Sequence, residues 1–141
     1  MTKPMHTTNC FDTFIQVAED CPARTGEEPP LRAGKPTVAC LQYGMIAKAP
    51  YKYTSDDVIF ATSAPGRELD GKATKTEKHA AREAFFSRGQ ACMRASSLGK
   101  RFGWGVHADK EGRIAIDSKR YQALVRDPKL TQVRAMRSKR A

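Results

Sequence analysis

The stretch KRFGWGVHADKEGRIAI, Lys100–Ile116, decides the fold. Asp109-Lys110-Glu111-Gly112 carries the chemistry of a short hairpin loop with a bulge, in which Gly112 takes the left-handed conformation. In that register Asp109 opposes Arg113, Ala108 opposes Ile114 and Val106 opposes Ile116. Trp104, Val106 and Ala108 then share one face with Ile114 and Ile116. A slip of one residue would turn that whole apolar set outward, so turn and pattern agree on a β-hairpin with one buried face. Burying each Val or Ile side chain contributes about 1.5–3 kcal/mol. His107 points the other way, toward solvent or a cleft.

Working outward, Cys10–Asp20 alternates: Phe11, Thr13, Ile15 and Val17 face one way, Asp12, Phe14 and Gln16 the other. This predicts a strand, and Phe14 suggests that both of its sides are covered. Residues 21–36 hold four prolines and two glycines and form a long loop, functional or mobile. A helix follows over 37–48, capped by Thr37, with Val38, Leu41, Met45 and Ile46 at helical spacing and Pro50 beyond its end. Val58–Thr62 reads as a short buried strand; the alternative makes Thr54 or Ser55 the cap of a helix. Pro65, Gly66 and Gly71 mark an exposed loop. Thr74–Gly89 is an Ala-rich helix with Thr76 as cap, and a shorter helix covers 91–101. After the hairpin, Ser118 opens a helix with Tyr121, Leu124 and Val125. Asp127-Pro128 opens another, with Leu130, Val133 and Met136 as its apolar stripe. The element order indicates an α+β fold: a small, mostly antiparallel sheet that includes the 104–117 hairpin, with helices packed on one face.

The chain of 141 residues fits a single domain, 1–141, with residues 1–4 as a leader and 137–141 as a basic tail. No run of about 18 apolar residues is present, so no membrane partner is expected. The amino-terminal residues lack the apolar core of a secretory signal, and the expected location is cytoplasmic. Cysteines stand at 10, 21, 40 and 92, too far apart to form a zinc knuckle, and are read as free thiols. The net charge of +10 is uneven: residues 1–87 hold 11 basic and 11 acidic residues, and residues 88–141 hold 14 basic and 4 acidic ones. Such asymmetry points to an anionic partner, against the plainer reading of a solvated surface with a basic end.

No phosphate-cradling loop, metal-ligand spacing or cofactor motif is present, so neither metal nor cofactor is expected. If 93–101 is helical, Cys92 lies at its amino end, where the dipole favours a thiolate; a buried, inert cysteine is the competing reading. His107 is a second candidate for catalysis, as a proton carrier. Arg94, Lys100 and Arg101 beside Trp104 combine cations with an aromatic ring. That suits a phosphate, a nucleotide or a single strand of nucleic acid, or else is a solvated helix face leading to a core indole. Asp56-Asp57 would serve as a general base or cation ligand, or simply as a helix cap.

The blocks MHTTN, DTFI, AEDCPA, PYKYTSDDV, FFSRGQACMRASSL, KRFGWGVHADKEGRIAI and AMRSKR together resemble one family of small bacterial proteins catalogued as a domain of unknown function. The resemblance runs from about Met5 to Arg140 and implies a stand-alone domain. It assigns no activity and no functional residue. The expected function is therefore taken from the residues. It is a small protein that binds an anionic small molecule such as a nucleotide or phosphorylated metabolite through Arg94, Lys100, Arg101 and Trp104. Alternatives are a nucleic-acid binder using the basic carboxy-terminal region, and an enzyme or redox protein dependent on Cys92.

Overall fold

The computed structural model describes residues 6–137 except 24, 70, 72 and 117. The leader and nearly all of the basic tail expected from the sequence lie outside the described residues. Four strands form one sheet in the order β3-β2-β1-β4. These are β1 (Thr13–Gln16), β2 (Val106–Ala108), β3 (Ile114–Ile116) and β4 (Thr131–Arg134). β2 is antiparallel to both neighbours, whereas β1 and β4 run parallel. The fold is α+β, with six helices among the described residues: α1 (Val38–Lys48), α2 (Ser55–Ala61), α3 (Ala64–Leu69), α4 (Lys75–Phe85), α5 (Ser97–Lys100) and α6 (Tyr121–Arg126).

The hairpin has the register its turn chemistry requires. Val106 pairs with Ile116, His107 with Ala115 and Ala108 with Ile114. Gly112 sits at φ 82°, where a side chain would be strained. Asp109 closes the turn, its Oδ1 accepting from the amides of Glu111 and Arg113. Val106, Ile114 and Ile116 are buried, and Trp104 is half-buried just ahead of β2. Strand alternation then sorts the layers. Ile15, Val106 and Ile116 join Ile46 of α1, Val58 of α2 and Leu98 of α5 in the main core. On the reverse side, Phe14 is fully buried and meets the edge of Tyr121 from α6, 5.1 Å between centroids. β1 is thus covered on both sides, as its two apolar faces predict.

α1 begins where expected, with the Thr37 side chain accepting from Cys40 N. Three expectations are corrected. Val58–Thr62 is not a strand, because a complete capping box sets the helix α2: Thr54 Oγ1 accepts from Asp57 N, and Asp57 Oδ2 accepts from Thr54 N. That local device overrides the β preference of Val58, Ile59 and Phe60. The supposed loop at Pro65-Gly66 is helix α3; Pro65 stands in its first turn, where a missing N–H removes no helical bond. Asp127-Pro128 opens a turn rather than a helix, with Asp127 Oδ1 accepting from Lys129 N. The β-branched Thr131 and Val133 then continue as β4, so the basic carboxy-terminal region is a strand beside β1. Smaller shifts affect the caps. Thr74 rather than Thr76 caps α4, and α6 starts after Arg120 without a side-chain cap from Ser118.

Candidate functional site

α1, α2, α3 and α4 enclose a cleft of about 920 Å³, within the usual range for small-molecule sites. Its apolar walls include Leu41 and Met45 from α1, Phe60 from α2 and Leu69 from α3, with Tyr53 from the α1–α2 connection. Four cations line it: Lys52, Arg67, Lys78 and Arg82. Among the described lining residues Asp57 is the one acid. Lys78 and Arg82 stand one helical turn apart on α4, which places both on the same face.

Arg82 is held in place. Its Nη1 donates to Asp57 Oδ1 at 2.8 Å, and its guanidinium lies 5.7 Å from the centre of the Phe86 ring. Burial would raise the Asp57 pKa, but the hydrogen bond from Thr54 N, together with the hydrogen bond and charge of Arg82, outweighs it. The carboxyl is held below its ordinary range. His79 pairs with Glu83 at 2.8 Å. Lys52, Arg67 and Lys78 make no ion pair among the described residues, and all three are exposed.

The neighbouring Asp56 has a different task. It is buried, and its carboxylate accepts from Thr8 N at 2.6 Å, Thr8 Oγ1 at 2.7 Å and Thr7 Oγ1 at 2.7 Å. Asp56 N donates to Asn9 Oδ1. The amino-terminal Thr7-Thr8-Asn9 segment is therefore latched onto the start of α2. Neither aspartate of the pair is the free general base considered above.

The residues singled out from the sequence are placed as follows. Trp104 Nε1 donates to Glu27 O at 2.8 Å, and its ring packs against Tyr43 at 5.7 Å, so the indole fastens the 21–36 loop to the body. Arg94 Nε donates to Arg134 O, and Met136 N donates to Arg94 O, which ties Arg94 to the end of β4. Lys100 ends α5, and Arg101 follows it, exposed. Cys92 precedes a three-residue 3₁₀ turn, Met93–Ala95, rather than a longer helix, so the expected helix dipole is lacking there. Cys10 is close enough for its thiol to feel Cys92. Burial pushes the Cys10 thiol up, a hydrogen bond with Thr13 opposes that, and Cys92 adds a smaller upward push. His107 Nδ1 lies 2.7 Å from Tyr51 Oη, to which Arg120 Nη1 donates at 3.0 Å. Cys92, Arg94 and His107 thus have different partners, and none of them lines the cleft.

The cleft escaped sequence reading because its cations come from residues 52–82, inside the half of the chain that is neutral overall. One signal was available: Lys78 and Arg82 at helical spacing with no acid between them on that face. Among the described residues, no helix is long and apolar enough to cross a membrane. No curated protein and no solved structure matches the chain. A family model described as a family of unknown function, DUF6157, matches residues 5–141. The chain belongs to that family.

Proposed function

We propose that the protein binds a small anionic molecule with an apolar portion, of the nucleotide or phosphorylated-metabolite class, in the cleft between α1, α2, α3 and α4. The observation that carries this reading is four cations against one carboxylate, among the described residues, around a cavity with apolar walls. Lys52, Arg67 and Lys78 have no protein counter-ion among the described residues, so the cavity favours a ligand bearing more than one negative charge. Arg82 would anchor it. Held by Asp57 and Phe86, its guanidinium loses little freedom on donating to a ligand oxygen, and a planar fork suits phosphate. Leu41, Met45, Tyr53 and Phe60 would take the apolar part. A cytoplasmic setting, rich in such anions, fits this reading.

The test is thermal shift with AMP and with pyrophosphate, in the native protein and in the double variant Arg67→Gln/Lys78→Gln. These two exposed side chains make no ion pair among the described residues, so the free protein should melt unchanged. Ligand-induced stabilisation follows RT ln(1 + [L]/Kd), so a tenfold loss of affinity removes about 1.4 kcal/mol at saturating ligand. The reading fails if neither anion raises the melting temperature, or if the double variant responds as the native protein does.

A further inference from the structure

A second constellation lies outside the cleft and is independent of the reading just given. The turn Ala49–Lys52, closed by Lys52 N donating to Ala49 O at 3.2 Å, has Pro50 at its second position and Tyr51 at its third. Tyr51 stands at φ 59°, the left-handed region that glycine fills at this place in type II turns. A bulky residue there is an outlier whose strain costs on the order of 1–3 kcal/mol. Tyr51 N donates to Ile114 O and Ile114 N donates to Tyr53 O, so β3 clamps the strained segment.

What the strained backbone delivers is a phenol between a base and a cation. Tyr51 Oη is 2.7 Å from His107 Nδ1, and Arg120 Nη1 donates to the same oxygen at 3.0 Å. A guanidinium can only donate, so it occupies a lone pair of Oη. In the imidazole tautomer with its hydrogen on Nε2, the one a base requires here, Nδ1 accepts the phenolic hydrogen across this contact. The groups around the ring keep it neutral. Burial pushes the His107 pKa down and the Arg120 charge adds to that, while Asp109, Asp127 and Asp12 pull upward with less effect. A nucleophile hydrogen-bonded to a neutral base, beside a fixed positive charge, is the arrangement that covalent catalysis uses.

We infer that Tyr51 is a base-assisted nucleophile, with His107 as its base and Arg120 positioned to stabilise charge. Its substrate class is an electrophilic oxo centre bearing a leaving group: an activated acyl, phosphoryl or sulfonyl group. In the step, Oη bonds to the electrophilic atom and the leaving group departs with its electron pair. The phenolic proton passes to His107 Nδ1 and from there to water. Arg120 Nη1, hydrogen-bonded to Oη, stabilises the negative charge that this oxygen gains as its proton leaves.

Benzenesulfonyl fluoride is the probe. Reaction at Tyr51 forms an Oη–S bond and releases fluoride, and peptide mass spectrometry compares it with Tyr43 and Tyr53 in the same sample. Tyr51 should be modified at least tenfold faster at pH 7.5. An unassisted phenol reacts as phenolate, so its rate climbs about tenfold per pH unit up to about pH 10. Tyr51 should instead hold a level rate from pH 7 to 9 and fall as His107 gains a proton. His107→Gln keeps a hydrogen-bond acceptor but is no base. It should cut labelling at least tenfold and restore the climbing profile, with melting temperature reporting that it is folded. Tyr51 labelling no faster than Tyr53, or a native profile that climbs with pH throughout, overturns the inference without use of any variant.

Discussion

Replacing Asp56 tests how the Thr7-Thr8-Asn9 segment is held. Asp56→Ala removes the acceptor for Thr8 N, Thr8 Oγ1 and Thr7 Oγ1. Thr8 and Asp56 are 7% and 8% exposed, so water reaches the Thr8 amide poorly, whereas exposed Thr7 can turn to solvent and the Thr8 hydroxyl keeps Ser55 Oγ at 2.8 Å. One buried donor left unpaired costs about 1–3 kcal/mol and the lost hydroxyl bond about 1 more, which gives about 2–4 kcal/mol for the substitution. For a chain of this size that is a fall of roughly 6–16 °C in melting temperature. Asp56→Asn should cost less, about 1–2 kcal/mol, because Oδ1 still accepts from both Thr8 groups and the Thr7 hydroxyl can rotate to accept from the new amide. Urea unfolding followed by circular dichroism supplies the free energies. A cycle with Thr8→Val should show coupling of about 1–3 kcal/mol, since the two residues share their bonds. If Asp56→Ala loses less than about 1 kcal/mol, or the two residues prove additive, the latch does not hold the segment and the argument from buried donors is wrong.

Three further outcomes follow from the geometry. Asp57 has its pKa lowered in the fold, so its contribution is present above the unfolded value of about 3.9 and is lost as pH falls through the folded value. Arg82→Leu should therefore raise the midpoint of acid unfolding, and in Asp57→Asn the stability should decline less below pH 4. His107 is also lowered, so the unfolded chain gains its proton first. Stability should decline as pH falls from about 6.5 through the lower folded value, and His107→Gln should flatten that part of a stability-against-pH curve. Gly105→Ala would place Cβ 2.4 Å from Phe14 Cζ and 2.9 Å from Tyr121 Cε2. It should cost about 3 kcal/mol or more by chemical denaturation, because the fully buried Phe14 ring cannot retreat.

Local chemistry was legible in the sequence, and convergence was not. The hairpin could be read because Asp109 and Gly112 fix a turn while Val106, Ile114 and Ile116 fix a face, and both statements concern neighbours. β1 and α1 were readable for the same reason. Val58-Ile59-Phe60 misled because β-rich residues lay inside a helix whose start is set by Thr54 and Asp57. β4 misled because its partner, β1, lies more than a hundred residues earlier, and only that pairing makes 131–134 a strand. Charge counting pointed to residues 88–141, yet the cleft's cations stand in the balanced half. Three acids of that part have partners of their own: Asp56 with Thr7 and Thr8, Asp57 with Arg82, and Glu83 with His79. Tyr51 went unnoticed, although a tyrosine directly after Pro50, where a turn favours glycine, was the available sign. Trp104 packs against the core that the hairpin builds but stands ahead of β2, and its partner Glu27 belongs to a loop no pattern could place.

The most direct measurement of the central claim is a heteronuclear NMR titration of the labelled protein with AMP. Amide shifts should concentrate on residues 52–69 and 75–86, around Arg82 and Lys78, and weaken with added salt as an ionic contact must. Shifts centred instead on residues 94–104, or no shifts at millimolar AMP, would contradict that claim.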